Sequence, residues 1–235
     1  MSGNRSRRTR RTANSQAPSL RIRIHAEGQN TEVAYVNYWR KKFRFRTIVT
    51  IAEHQYSSPM DLVRLAASDR RTDMRAAKRF GDPYDEYWCV FDVDEHANLS
   101  DALEMARANE VKIALSNPCL EQWFLLHFRE QTAHLDRRQA QKLAYEYLSC
   151  GKSMTDAAQA LLDARYEDAK NRARHLITRH LQNGTPFPAN PSSNMFELME
   201  TIAKGGSVPG SGLPKIPPMT SSVLTDHMPS PRLAK

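Results

Sequence analysis

The amino-terminal half of the chain alternates between two hydrophobic periods. Residues 20–26, "LRIRIHA", alternate apolar and polar positions and are followed by Gly28, which predicts a β-strand and a turn. The next apolar residues recur at helical spacing, so we expect an amphipathic helix that opens at Asn30 or Thr31. Residues 86–94, "EYWCVFDVD", have an unbroken apolar middle. This pattern is typical of a strand that is covered on both faces.

Strand and helix patterns continue to alternate as far as residue 128. Two further strands are predicted, over residues 46–52 and 111–116, and three further helices, over residues 58–80, 99–109 and 118–128. From about residue 136 onward the strand patterns stop, and the remaining apolar periodicity is helical. Short strands alternating with helices favour an α/β fold. We therefore expect a mostly parallel four-stranded sheet flanked by helices, with an all-helical C-terminal extension.

Length and composition set the domain organisation. The 235 residues suffice for one compact domain, in which we expect an α/β core over residues 21–135 and a helical extension over residues 136–205. Residues 1–20 form a basic arm and residues 206–235 a Gly-, Pro- and Ser-rich tail, and both compositions predict disorder. The net charge of +8 lies mainly in these two segments. Binding of nucleic acid by the body would therefore need a local basic patch or a bound metal ion.

Cysteine usage and hydropathy indicate the compartment. The three cysteines are far apart and form no C-x-x-C pair, so the sequence suggests neither a disulfide framework nor a zinc site. The basic amino terminus lacks the apolar stretch of a secretory signal, and no apolar run is long enough to span a bilayer. These features predict a soluble cytoplasmic protein with no membrane contact.

Acidic side chains follow two of the predicted strands. Glu27 ends the first strand and is followed by Gly28, whereas Asp92 and Asp94 end the third strand. In a parallel sheet, functional groups collect at the carboxyl ends of the strands, so these acids are expected at one edge. Glu32, in the first turn of the next helix, leans back toward that edge. The sequence thus predicts a group of carboxylates rather than isolated surface acids.

We expect such a group of carboxylates to bind a cation. Carboxylates brought together repel one another unless a metal ion holds them ionised, and Mg²⁺ prefers oxygen ligands. We expect Mg²⁺, or Mn²⁺, bound by Glu27, Glu32, Asp92 and Asp94, with Glu95 as a further candidate ligand. The chemistry implied is phosphoryl transfer or phosphodiester hydrolysis. The alternative is structural, because acids after a strand often cap the next helix and Glu32 suits a helix dipole.

The segment after the fourth strand supplies supporting candidates. Its helix is apolar nearly all round and is predicted to start with Pro118. Ser116, Asn117 and Glu121 lie near its amino end, where they could touch metal or phosphate. The structural alternatives are a helix cap for Ser116 or Asn117 and an ion pair for Glu121. His127, near the other end, is expected to be a core histidine with satisfied hydrogen bonds.

Two further patterns have both structural and functional interpretations. Asn194 with Glu197 three residues later predicts a capping box, although Ser193 and Asn194 also remain site candidates. On the predicted long helix of residues 154–181, basic residues recur every seven positions and could follow a phosphate backbone: Arg165, Arg172 and Arg179. A solvated helix face with interleaved acids is the alternative for this basic stripe.

The order of the motifs resembles that of a known family. "EGQNTE" after a strand, "VFDVDEH", "ALSNPCLEQWFLLHF" and "NPSSNMFELME" occur in the order and style of the RloB-like proteins, over about residues 21–205. Members of this family look like Toprim-type proteins, and the E-G-x-x-T-E pattern is similar to that of overcoming-lysogenization-defect nucleases. The resemblance implies a Rossmann-like, Toprim-like sheet. It also implies metal-dependent cleavage of nucleic acid, with Glu27, Asp92 and Asp94 as catalytic residues and Glu32 as a further ligand.

The same resemblance implies a biological setting. RloB-like proteins resemble accessory proteins of restriction-associated and abortive-infection loci, often encoded beside an ATPase. We therefore expect an anti-phage nuclease, or an effector derived from one, with a nucleic-acid substrate and an ATPase partner. The sequence leaves a homo-oligomer open.

Two rival functions use the same acidic residues. In the first, the carboxylates hold a structural ion and the protein is a non-catalytic scaffold for a defence ATPase. In the second, "DVDEH" is the D-x-D motif of a haloacid dehalogenase-like phosphatase with Asp92 as the nucleophile. The second rival fits less well, because His96 stands where that motif has Thr or Val and because the motif ends the third strand.

Overall fold

The computed structural model describes residues 20–28, 30–53, 58–81, 83–93 and 99–205. The five strands are β1 (Leu20–Ala26), β2 (Thr47–Ile51), β3 (Glu86–Asp92), β4 (Val111–Asn117) and β5 (Ser192–Ser193). The helices within these ranges are α1 (Thr31–Lys42), α2 (Pro59–Phe80), α3 (Leu99–Ala108), α4 (Leu120–Phe128), α5 (Arg137–Leu148), α6 (Asp156–Ala164), α7 (Tyr166–Gln182) and α8 (Met195–Lys204). No helix in the described ranges is long and apolar enough to cross a bilayer.

The sheet has the order β2-β1-β3-β4-β5. Its first four strands run parallel to their neighbours, and β5 is antiparallel to β4. This confirms the predicted α/β class with a mostly parallel sheet flanked by helices. Because β1 and β3 are neighbours, with Ala26 beside Val90, their carboxyl ends meet at the centre of one edge.

The prediction of four strands, with none after residue 136, was wrong. β5 is only two residues long, and it pairs with the carboxyl end of β4 through Ser192 and Ser193. Asn194 then continues the pairing with its side chain, which accepts from the Leu115 N–H (2.8 Å) and donates to the Ile113 carbonyl (2.9 Å). A strand this short leaves no hydrophobic period in the sequence.

The core is built around β3 and α4. All seven residues of β3 are buried, as its apolar run predicted. In α4, every residue from Leu120 to His127 is buried, so this helix lies inside the protein and not on its surface. The cysteines Cys89, Cys119 and Cys150 are free thiols.

Three local predictions were wrong. Helix α4 begins at Leu120 instead of Pro118, because Cys119 in an extended conformation is its N-cap. The predicted long helix is divided at Arg165, which ends α6 and precedes α7. Asn194 precedes α8 but makes no side-chain capping bond, since its amide is hydrogen-bonded to β4.

The predicted arm and tail lie outside the described residues, except for Leu20. The domain boundary at residue 136 stays a prediction.

Candidate functional site

Asp92 lies at the carboxyl end of β3 with a buried carboxylate. Its Oδ1 accepts a hydrogen bond from the Leu120 N–H (2.9 Å), the first backbone donor of α4. Its Oδ2 lies 3.3 Å from the guanidinium of Arg137 on α5. A helix amino terminus and an arginine both favour a negative charge, so these two partners offset part of the cost of burying this carboxylate.

Glu27 reaches Asp92 from the neighbouring strand. Its backbone N–H donates to the Val90 carbonyl (2.9 Å), which extends the β1–β3 ladder by one residue. Its side-chain Oε2 accepts from the Asp92 N–H at 3.2 Å. The two acids predicted from separate strands therefore meet at the sheet edge.

Glu32 returns to the same edge from the first turn of α1. Its carboxylate lies directly on Gly28, where a Cβ atom would overlap the carboxyl group. A glycine is needed here for the close approach of that side chain. Burial is the main cause that raises the pKa of Glu32, and repulsion from Glu121 and Glu27 raises it further.

Glu121 brings a fourth carboxylate from the first turn of α4. It is 5% exposed, and its Oε1 accepts from the hydroxyl of Tyr145 (2.8 Å). We call Glu27, Glu32, Asp92 and Glu121 the carboxylate cluster.

Burial and the neighbouring carboxylates both act on the pKa of Asp92. Burial raises the pKa of Asp92 well above its ordinary value, and the negative charges of the other three members raise it further. The positive charge of Arg137 lowers it. Without a cation, burial and repulsion therefore favour the protonated form of Asp92.

The donor atoms of the cluster suit a hard divalent cation. Carboxylate oxygens are the ligands that Mg²⁺ prefers, and a cation would relieve the repulsion among them. Within the described ranges, however, no three acidic, histidine or cysteine side chains stand close enough to hold one metal ion. The other predicted ligands, Asp94 and Glu95, lie outside the described residues.

Ser116 and Asn117 bond to the C-terminal part of the chain. The Ser116 hydroxyl lies 2.8 Å from the Ser193 hydroxyl in a buried pair, and the Asn117 side chain donates to the Pro188 carbonyl (3.0 Å). Neither residue caps α4, whose N-cap is Cys119. These contacts join the end of β4, next to Asp92 in the sheet, to the C-terminal part of the chain.

Sequence reasoning missed two residues of α5 that touch the cluster, Arg137 and Tyr145. Both lie on an ordinary amphipathic helix, and nothing in the local pattern distinguishes them from surface residues. Their role follows only from the packing of α5 against α4, which places Arg137 at Asp92 and Tyr145 at Glu121.

Comparison with known proteins agrees with the order of the motifs. A family model described as RloB-like protein matches residues 22–202. The chain belongs to the RloB-like family. Searches of curated proteins and of solved structures found no match. The RloB-like match covers the carboxylate cluster together with β5 and most of α8.

The arginines of the predicted basic stripe of this RloB-like protein make separate contacts. The guanidinium of Arg165, at the junction of α6 and α7, lies over the Phe128 ring (5.3 Å). Arg172 donates to the Leu126 carbonyl (2.8 Å), and it lines one groove together with Arg179. Two of the three arginines thus line one groove, and Arg165 is not among the residues that line it.

Proposed function

We propose that the carboxylate cluster is the metal site of a Toprim-like nuclease that hydrolyses phosphodiester bonds with Mg²⁺ or Mn²⁺. The observation that carries this proposal is the convergence of four carboxylates from β1, α1, β3 and α4 at one sheet edge. Buried carboxylates that raise one another's pKa are typical of functional sites, and a cation is the usual partner of such a group.

Each acid has a proposed role. Asp92 and Glu27 would hold the main ion together with Asp94, and Glu27 could also serve as the general base. Glu32 would contribute to a second ion, with Glu95 and Glu121 as further ligands. The metal would supply an activated water and would neutralise charge on the phosphate oxygens.

Arg137 would add a second positive charge beside the reacting phosphate. Its side chain is 44% exposed while its guanidinium stays within 3.3 Å of Asp92. An arginine presents several N–H donors in a fixed fork, so one guanidinium can contact a carboxylate and a phosphate oxygen together. In this proposal Arg137 orients Asp92 and helps to place the substrate.

The setting we propose is anti-phage defence. Family membership supports it, because RloB-like proteins resemble accessory proteins of restriction-associated and abortive-infection loci. In that setting the protein is a nuclease, or an effector derived from one, that works with an ATPase encoded nearby.

The test is metal-dependent cleavage of mixed DNA and RNA substrates, with and without the neighbouring ATPase. The informative variants are Asp92→Asn and Glu27→Gln, and Glu146→Gln is the matched control because Glu146 is an exposed acid on α5. We expect the wild type and the control to cleave the substrates. The cleavage rate of both site variants should be lower by at least about a hundredfold. Cleavage that persists in both site variants would contradict the assignment.

A second candidate is a non-catalytic scaffold for a defence ATPase. The observation in its favour is that both oxygens of Asp92 already have protein partners, the Leu120 N–H and Arg137. Calorimetry with Mg²⁺ separates the two functions. Metal binding that both substitutions abolish, without cleavage in any mixture, would support the scaffold.

A further inference from the structure

A groove lies at the end of α4 that is remote from Glu121, between the segment after α4 and one face of α7. It encloses about 350 Å³, within the range of sites for small ligands. Its charged and polar lining comes from both sides: Glu130 and Gln131 after α4, and Arg172, His175 and Arg179 on α7. No member of the carboxylate cluster lines it.

Gln131 lines this groove and carries a buried hydrogen-bond acceptor. The residue is 3% exposed, and its Nε2 donates to the Ala133 carbonyl at 2.8 Å, which fixes the orientation of the amide. Its Oε1 is buried and has no hydrogen-bond partner in the described part of the chain. A buried acceptor without a donor costs about 1–3 kcal/mol, so this atom favours a ligand that carries an N–H or O–H group.

The opposite wall of the groove is basic. Arg172 and Arg179 are two helical turns apart on α7, or roughly 10 Å along the axis. Neither forms an ion pair with a carboxylate of the described residues, and Arg172 uses one guanidinium nitrogen to bind the Leu126 carbonyl. Glu130 is the one acidic residue in the lining, against two arginines and His175. The groove therefore favours an anionic ligand.

We propose that this groove binds a nucleotide unit, with its phosphate at Arg172 and Arg179 and its base at Gln131. A nucleotide joins an anion to a base with N–H groups, one of which would donate to the Gln131 Oε1. Leu126 and Leu176 are the apolar residues of the lining. A fully ionised phosphate alone offers no donor to Gln131. A free nucleotide and one unit of a single strand share this chemistry, and the inference does not depend on the function proposed for the carboxylate cluster.

The experiment is calorimetric titration of the full chain in buffer without divalent metal, so that cleavage plays no part. The ligands are the four nucleoside monophosphates, single-stranded DNA and RNA tetranucleotides, and inorganic phosphate. The variants are Arg179→Gln and Gln131→Met, with Arg75→Gln as the control because Arg75 is an exposed arginine on α2. Melting temperatures establish that each variant is folded.

We expect Arg179→Gln to lower the affinity for every nucleotide by about tenfold or more, because a charge-assisted contact to phosphate is lost. Gln131→Met should lower the affinity for the preferred nucleotide by about tenfold and leave the affinity for inorganic phosphate unchanged. Arg75→Gln should bind as the wild type does. If Gln131→Met unfolds, Gln131→Leu replaces it, since it also removes the Oε1 acceptor.

If the monophosphates bind, the ligand of the groove is a free nucleotide. If only the tetranucleotides bind, the ligand is one unit of a single strand. The inference is overturned if no nucleotide or oligonucleotide binds, or if both groove variants bind as tightly as the wild type. It is also overturned if inorganic phosphate binds as tightly as every nucleotide, because the base would then contribute nothing.

Discussion

The guanidinium of Arg137 lies 3.3 Å from the buried carboxylate of Asp92. It is the positive charge that lowers the pKa of Asp92 while burial and three other carboxylates raise it. Arg137 therefore stabilises the charged form of Asp92, as a divalent cation at this edge of the sheet would also do.

Substitution of Arg137 tests that relationship. We expect Arg137→Gln to lower the free energy of unfolding by about 1–3 kcal/mol without metal, because a buried carboxylate loses a charged partner. Millimolar Mg²⁺ should then raise the melting temperature more in the variant than in the wild type, since the ion replaces the missing charge. Differential scanning fluorimetry with and without Mg²⁺ measures both effects.

The matched control is Arg138→Gln, an exposed arginine one position further along α5. It should show neither the lower stability nor the larger response to Mg²⁺. An equal response to Mg²⁺ in Arg137→Gln and the wild type would contradict the idea that a cation replaces the charge of Arg137 beside Asp92.

Gly28 is expected to act through Glu32. In Gly28→Ala the new Cβ would overlap the Glu32 carboxylate, which must swing away. Because that carboxylate is the end of a flexible side chain, the free energy of unfolding should change by less than about 1 kcal/mol. Affinity for Mg²⁺ should fall as far as in Glu32→Ala, as measured by calorimetry. Wild-type affinity in Gly28→Ala together with reduced affinity in Glu32→Ala would contradict this explanation.

Asn194 should be important for stability rather than for catalysis. Asn194→Ala would leave the Leu115 N–H and the Ile113 carbonyl without their side-chain partner. We expect a loss of about 2–4 kcal/mol in urea unfolding, because unpaired backbone groups in the interior are costly. Asn183→Ala, at the exposed end of α7, is the control and should stay within about 0.5 kcal/mol of the wild type. Equal stability of the two variants would show that β4 does not need this support.

His127 should make the protein sensitive to acid. Its Nδ1 lies 2.9 Å from the Trp123 carbonyl, so the neutral ring donates from Nδ1 and leaves Nε2 buried. Burial lowers the pKa of His127 from 6.5 to about 3. A base with a lowered pKa contributes its full stability above the unfolded value, and that stability is lost as the pH falls from about 6.5 toward 3.

Urea unfolding between pH 8 and pH 4 measures this loss, which is at most about 1.4 kcal/mol per pH unit. His127→Gln carries no charge at either pH, so the stability difference between the wild type and the variant should shrink toward acid. A difference that does not depend on pH would show that His127 is not buried in its neutral form.

The sheet was predictable because its strands carry their own signals. The alternation of β1 and the continuous apolar run of β3 follow from burial on one face and on both faces, and the structure confirms both strands. The proximity of Glu27 and Asp92 followed in turn from the rule that parallel strands end at one edge.

The remaining features depend on long-range packing. β5 is too short for a period, and the partnership of Asn194 with β4 joins residues about 80 positions apart in sequence. Arg137 and Tyr145 reach the cluster only because α5 packs on α4. Local sequence cannot show such contacts, because they depend on how helices are arranged in three dimensions.

Helix α4 links two places that have been treated separately. Its first turn carries Glu121 and offers the Leu120 N–H to Asp92, whereas its last turn and the residues beyond line the groove of Gln131. With eight of its nine residues buried, the helix has no solvent layer into which it could bend. The surrounding residues therefore hold the helix rigidly. Leu126, which lines the groove, and Glu121, which belongs to the cluster, are therefore held at a fixed separation by one buried helix.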